Sequence, residues 1–229
     1  MAGIVASAQA HHRDFTFIRD WYLPFAGERE IESRTSYEPK TRALQQEFEF
    51  EMGITKNFAI EPGIGFHQEP GDKTHLDEWD IELRFNFMDF AYNKVLPAIN
   101  LEYENPANTA ESKNVKLKLI ASMYTPSGED FSVNLNLLQH VSVDRAKDSE
   151  LLFGYSRPFG KGVDEETKRA NFRGGFEYLM NLTAHDQWLG PVFAVKASDH
   201  LNGILTYMFA LNHKDTINNQ LKLIFEWEF

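Results

Sequence analysis

From residue 29 onward the chain repeats one pattern about every 15 to 20 residues: a run of alternating apolar and polar positions, then a polar turn. Side chains of a strand point alternately to its two faces, so each run reads as a strand with one apolar and one charged face. The alternation predicts about twelve strands. The first five are 29–38, 44–53, 58–66, 76–88 and 95–104. They are followed by 115–124, 131–141, 151–159, 170–182, 187–197, 201–211 and 220–229. The fourth is the clearest, with Trp79, Ile81, Leu83, Phe85 and Phe87 set against Asp80, Glu82, Arg84 and Asn86. An even number of strands joined by short turns suits an antiparallel up-and-down transmembrane β-barrel.

The last strand points the same way. Leu221, Leu223, Phe225, Trp227 and Phe229 share one face, and Lys222, Glu226 and Glu228 the other, where Ile224 is the single apolar intruder. This segment resembles the C-terminal signal of bacterial outer-membrane β-barrels, which the barrel-insertion machinery recognises. The resemblance implies an outer-membrane location, lipid around the apolar face and the C-terminus on the periplasmic side. A looser likeness lies in LQQEFEFEMGITKNFAIEPGIGF, residues 44–66, and in LPAINLEYE, residues 96–104. These are similar to uncharacterised outer-membrane barrels assigned to transport in a phenol-degradation pathway. That likeness implies a fold, not a substrate or a site residue.

Alternation alone does not say which face is wet, because a soluble β-barrel shows the same period with its apolar side chains inside. A soluble barrel of about twelve strands would enclose more space than its side chains easily fill. Aromatics also gather at strand ends, as at Phe58, Phe66, Trp79, Phe87, Tyr103, Phe131 and Phe159, where membrane girdles belong. The sequence has 19 Phe, 8 Tyr and 4 Trp, yet a mean hydropathy of -0.43. Alternation hides apolar content from such an average. No apolar run is long enough for a transmembrane helix, which takes about 18 residues or more. A net charge of -11 argues against nucleic-acid binding, and zero Cys excludes disulfides and thiolate metal sites.

If the apolar faces meet lipid, the charged faces line the lumen. The expected lumen-lining set is Glu47, Glu49, Glu51, Glu61, Asp80, Glu82, Arg84, Glu102, Glu104, Lys116, Lys118, Arg173, Glu177, Lys196, Lys222, Glu226 and Glu228. Its acids concentrate on strands two to five, a wall that would favour small cations or polyols in an open pore. The same charges could instead pair across the lumen and fill it. The function expected is a channel or passive transporter for a small solute. Its alternatives are a closed outer-membrane barrel with a structural or binding role and a soluble ligand-binding β-barrel.

The N-terminus divides in two before the barrel domain, 29–229. Residues 1–10, MAGIVASAQA, end in an A-x-A pattern and read as a signal-peptide remnant. Residues 11–28 form an arm whose FTFIRDWYLPF stretch is compatible with a periplasmic arm, an extension of the first hairpin or an inward plug. Pro62, Pro97, Pro158 and Pro191 fall in predicted strands and are expected at strand ends or bulges.

Enzyme chemistry is not expected. His140 and Ser142 share a parity, as a Ser/His hydrolase would need, but nothing in the sequence activates the serine. His200 with Asp199 and His213 with Asp215 are loop residues, and His11-His12 is a polar start that could take Cu(II) or Ni(II). No phosphate loop, zinc spacing or cofactor motif is present.

Overall fold

A computed structural model describes residues 13–142, 146–159, 172–198, 200–212 and 218–229. His11, His12, Asp199, His213, Asp215 and the proposed signal remnant lie outside the described residues. The strands are β1 (Arg29–Glu38), β2 (Ala43–Thr55), β3 (Phe58–Gln68), β4 (His75–Asn86), β5 (Leu96–Pro106) and β6 (Asn114–Tyr124). They continue as β7 (Asp130–His140), β8 (Lys147–Pro158), β9 (Phe172–Asn181), β10 (Gln187–Lys196), β11 (Leu201–Ala210) and β12 (Gln220–Glu228). Each pairs antiparallel with its sequence neighbours, and β1 pairs β12, from Glu30 opposite Glu228 to Tyr37 opposite Leu221. This is a closed barrel of 12 strands, and closure leaves no free edge.

The barrel is apolar outside and charged inside. Phe85, Phe176, Phe193, Phe209, Phe225 and Trp227 stand exposed on its outer wall, while Glu32, Glu61, Glu82 and Glu177 are buried in the lumen. That inversion contradicts the soluble alternative, which needs its apolar face inward. Ring pairs mark the two rims. Phe50 stacks on Phe229 and Phe58 on Phe85 toward the end that carries β1's start and β12's finish (6.2 and 4.4 Å between centroids). Trp79 meets Tyr103 toward the opposite end at 5.7 Å. These ends are called below the termini end and the far end.

Two of the prolines depart from expectation. Pro97 is the second residue of β5 and Pro158 the last of β8, both at strand ends. Pro62 and Pro191 sit inside β3 and β10, with no bulge at either. The β2–β3 ladder passes from Glu49 opposite Gly63 directly to Met52 opposite Ile60. The β10–β11 ladder likewise skips from Leu189 opposite Phe209 to Val192 opposite Thr206. Each proline therefore costs one short gap on one side, while the ladder on its other side continues.

Of the three placements open to the arm, the structure shows the inward one. Residues 13–25 enter the lumen at the termini end, turn at mid-depth around Thr16–Arg19 and return to the same end. Phe15 and Ile18 are buried against Leu152, Val192, Ala194, Ile204 and Ile224 on the β8–β12 side. This explains the apolar intruder of the last strand: Ile224 packs under the arm. Gly154 belongs to the same contact, since a Cβ there would lie 2.7 Å from Phe15 Cε1 and 2.9 Å from Ile18 Cδ1. At the return, Gly27 donates to the Gly53 carbonyl (2.8 Å), Gly53 donates to that of Glu28 (3.1 Å), and a Cβ on Gly53 would collide with Phe25 O.

Candidate functional site: a charged lumen beneath a far-end vestibule

The arm has two sides, and each matches the wall it faces. Its apolar side covers the apolar patch of β8–β12. Its basic side reaches the acidic patch of β1–β5. Arg13 binds Glu32 through both carboxylate oxygens (2.8 and 2.9 Å), and Asp14 takes the opposite sign, 2.6 Å from Arg173 Nε. Arg19 is the centre. Its guanidinium lies 2.8 Å from Glu49, 3.1 Å from Glu51, 3.2 Å from Glu61 and 3.3 Å from Glu82. Four carboxylates on three strands thus converge on one arginine, and burying so many like charges together requires such a cation.

Backbone groups of the arm are satisfied by the wall as well, as buried polar groups require. Glu177 collects the turn: Thr16, Phe17 and Ile18 donate their amides to its Oε1 at 2.9, 2.8 and 3.3 Å. Thr16 and Thr206 donate their hydroxyls to its Oε2 at 2.9 and 2.6 Å. Asn134 exchanges two hydrogen bonds with the Arg19 backbone, both 2.7 Å. Arg84 donates to the Tyr22 carbonyl (2.5 Å) and pairs with Glu61 (2.9 Å). Glu177→Leu would strand three amides and two hydroxyls. At about 1–3 kcal/mol for each buried group left unsatisfied, it is expected to cost several kcal/mol. A lower urea midpoint for the heat-modifiable gel shift would show this, with Glu177→Gln falling between.

The expected lumen residues all take inward parity, at different depths. Arg34 pairs with Glu32 and Glu49. Lys118 joins Glu82 (2.9 Å) and Glu102 (2.5 Å), and Lys116 joins Glu102 (3.0 Å) and Glu104 (2.6 Å). Glu226 accepts from Asn202 at 2.8 Å, and Lys222 lies 5.0 Å over the Phe17 ring. Glu228 and Lys196 are half-buried at the termini end. Among the described residues, three clusters of three carboxylates each bring their oxygens within 4.8 Å of one another, one of them Glu49, Asp80 and Glu82. In that group Arg34, Arg19 and Lys118 already supply the positive charge. Ser142 accepts the Lys113 amide (2.8 Å) in a far-end turn, a structural role.

Above the turn of the arm the lumen opens into a vestibule of about 340 Å³ facing the far end. Thr16, Phe17 and Arg19 form its floor, Glu47, Glu78, Asp80 and Glu104 part of one wall, and Leu152, Leu179, Trp188 and Met208 the other. Glu78, Trp188 and the arm residues were not among the expected lumen set. Parity alone would have added the first two, whereas the arm follows no strand register. The signal for the arm was the apolar inward face of β8–β12, since an apolar patch in a polar lumen needs an apolar cover.

No protein-family model matches this chain, and no curated protein does. Solved structures match its fold. The structure described as the KdgM porin in complex with disordered oligogalacturonate superposes with a TM-score of 0.65 at 8% identity, over 87% of this chain and 99% of that one. The KdgM porin without that ligand gives 0.64 at 9% identity, over 87% and 99%. A NanC porin structure gives 0.60 at 8% identity, over 86% and 98%. At these identities the likeness is one of fold alone: a closed antiparallel β-barrel like those of these porins.

Proposed function

We propose that the protein is an outer-membrane channel for small polar solutes, entered from the extracellular side through the vestibule and closed in this conformation by its own N-terminal segment. The vestibule carries this reading, because a barrel serving only as a scaffold needs no open, charged cavity ending on a removable floor. The porin fold and the lipid-compatible exterior support the location. The outward row Leu221, Leu223, Phe225, Trp227 and Phe229 supports handling by the barrel-insertion machinery. One observation favours the second reading, a permanently closed barrel with a structural or binding role: the arm is held by ion pairs and apolar packing at once.

Oligogalacturonate, the polyanion in the KdgM complex, suits this lumen poorly. Glu78 and Asp80 face the vestibule and form no ion pair among the described residues, so an anion would meet uncompensated negative charge. Uptake of labelled glucosamine, glucose and galacturonate into proteoliposomes compares one size at three charges, and the expected order is glucosamine, glucose, galacturonate. The Glu78→Gln/Asp80→Asn variant should compress the differences severalfold. Glu49→Gln and Glu82→Gln should change stability more than order, because arginine and lysine already neutralise both positions. Uptake no faster than in protein-free liposomes would favour the closed barrel, and galacturonate first would refute the acidic filter.

A further inference from the structure

We propose that the vestibule is a binding site for a small organic cation with an apolar body, an alkyl- or arylalkyl-ammonium ion. This names the solute class of the channel reading and rests on that reading for its biological role. Four of the five bases that line the cavity are committed: Arg34 to Glu32 and Glu49, Lys116 to Glu102 and Glu104, Lys118 to Glu82 and Glu102, Arg19 to the wall below. Lys222 faces the Phe17 ring. Against them stand Glu78 and Asp80 without an ion pair among the described residues, and Glu47, which lies 3.6 Å from Arg34. The cavity therefore presents a net negative wall at one side.

A second observation gives the same sign. Asp80 Oδ1 and Asn136 Oδ1 line the cavity as buried oxygens with no hydrogen-bond donor, and Asn136 is only 9% exposed. Among the described residues no buried nitrogen that lines the cavity lacks a partner. Among these fully buried lining atoms the surplus is one of acceptors. A molecule that completes the site must bring N–H donors and positive charge, because an orphaned buried acceptor is costly. The opposite wall specifies the rest. Leu179, Trp188 and Met208 offer apolar and aromatic surface, which favours a carbon body and attracts a cation to the indole face. A volume of about 340 Å³ lies at the small end of ligand sites. A bare metal ion would leave the apolar wall unused, and a neutral polyol would leave the carboxylates without counter-charge.

Isothermal titration of the refolded, full-length protein in zwitterionic detergent tests this with three probes of one shape: phenethylammonium, 2-phenylethanol and 3-phenylpropionate. The expected result is saturable binding of the amine at least tenfold tighter than that of the alcohol, with no binding of the acid. Glu78→Gln/Asp80→Asn should weaken the amine at least tenfold and leave the alcohol unchanged. Glu78→Gln alone, the gentler change, should weaken the amine about threefold and serves if the double variant loses its heat-modifiable mobility. Met208→Gln should weaken amine and alcohol together. Equal affinity for amine and alcohol, preference for the acid, or an amine affinity indifferent to Glu78 and Asp80 would overturn the site. Binding without solute flux would refute the channel and leave the site standing, whereas flux without amine binding would do the reverse.

Discussion

Arg19→Ala is expected to lower the stability of the folded barrel by about 3–5 kcal/mol, the usual cost of removing one partner from a buried ion pair. Glu49, Glu51, Glu61 and Glu82 would lose the cation they share, and Arg34, Arg84 and Lys118 would be left to divide them. Water entering beside the stranded carboxylates is the cheapest relief, so the turn of the arm should loosen before the strands part. Far-ultraviolet circular dichroism should stay that of the barrel while the urea midpoint of the gel shift falls. Arg19→Lys should recover part of the loss, since a single ammonium cannot reach the carboxylates that the two guanidinium nitrogens now contact. An unchanged midpoint in Arg19→Ala would mean that the arm does not hold the lumen closed.

The apolar side of the arm leads to the second large effect, from either partner of one contact. Phe15→Ala removes a fully buried ring and is expected to cost about 3–5 kcal/mol, the range for truncating a core phenylalanine. Gly154→Leu leaves the arm's sequence intact and acts from the wall. Its Cβ would lie 2.7 Å from Phe15 Cε1 and 2.9 Å from Ile18 Cδ1, so the ring must move before the side chain fits. Both changes should free the arm, raising protease sensitivity in residues 13–25 while the heat-modifiable band persists. A Phe15→Ala/Gly154→Leu double variant should lose less than the two separate losses added together, because once the ring is gone the leucine has space. Additive losses would show that Gly154 and Phe15 act separately.

The pattern along the chain made the barrel legible and left its contents obscure, for a physical reason. Period-two alternation reports which face of a strand a residue occupies, and a closed barrel repeats that report around its wall. Hence the number, order and antiparallel pairing of the twelve strands could be read from the pattern, with several strand ends displaced, as in β8, which begins at Lys147 where a loop up to 150 was expected. The arm answers to no period. Its partners sit far away in sequence, Glu49 and Glu82 at 30 and 63 positions from Arg19 and Glu177 at 161 from Thr16. Depth was equally hidden. Asp80 and Glu82 share a face of β4, yet Glu82 meets Arg19 and Lys118 while Asp80 faces the vestibule without an ion pair among the described residues. Ile224, isolated among charges, was the residue where the hidden arm left a mark, and the prolines within β3 and β10 show how small a ladder gap one proline needs.

The channel reading requires that the N-terminal arm close a conducting, cation-selective lumen. Single-channel recording in a planar bilayer under a salt gradient tests it most directly, comparing wild type with Phe15→Ala/Arg19→Ala in preparations that keep the heat-modifiable mobility. Rare, brief openings are expected for wild type, and long discrete steps with a cation-selective reversal potential for the variant. A variant as silent as wild type, or one whose reversal potential favours anions, would contradict it.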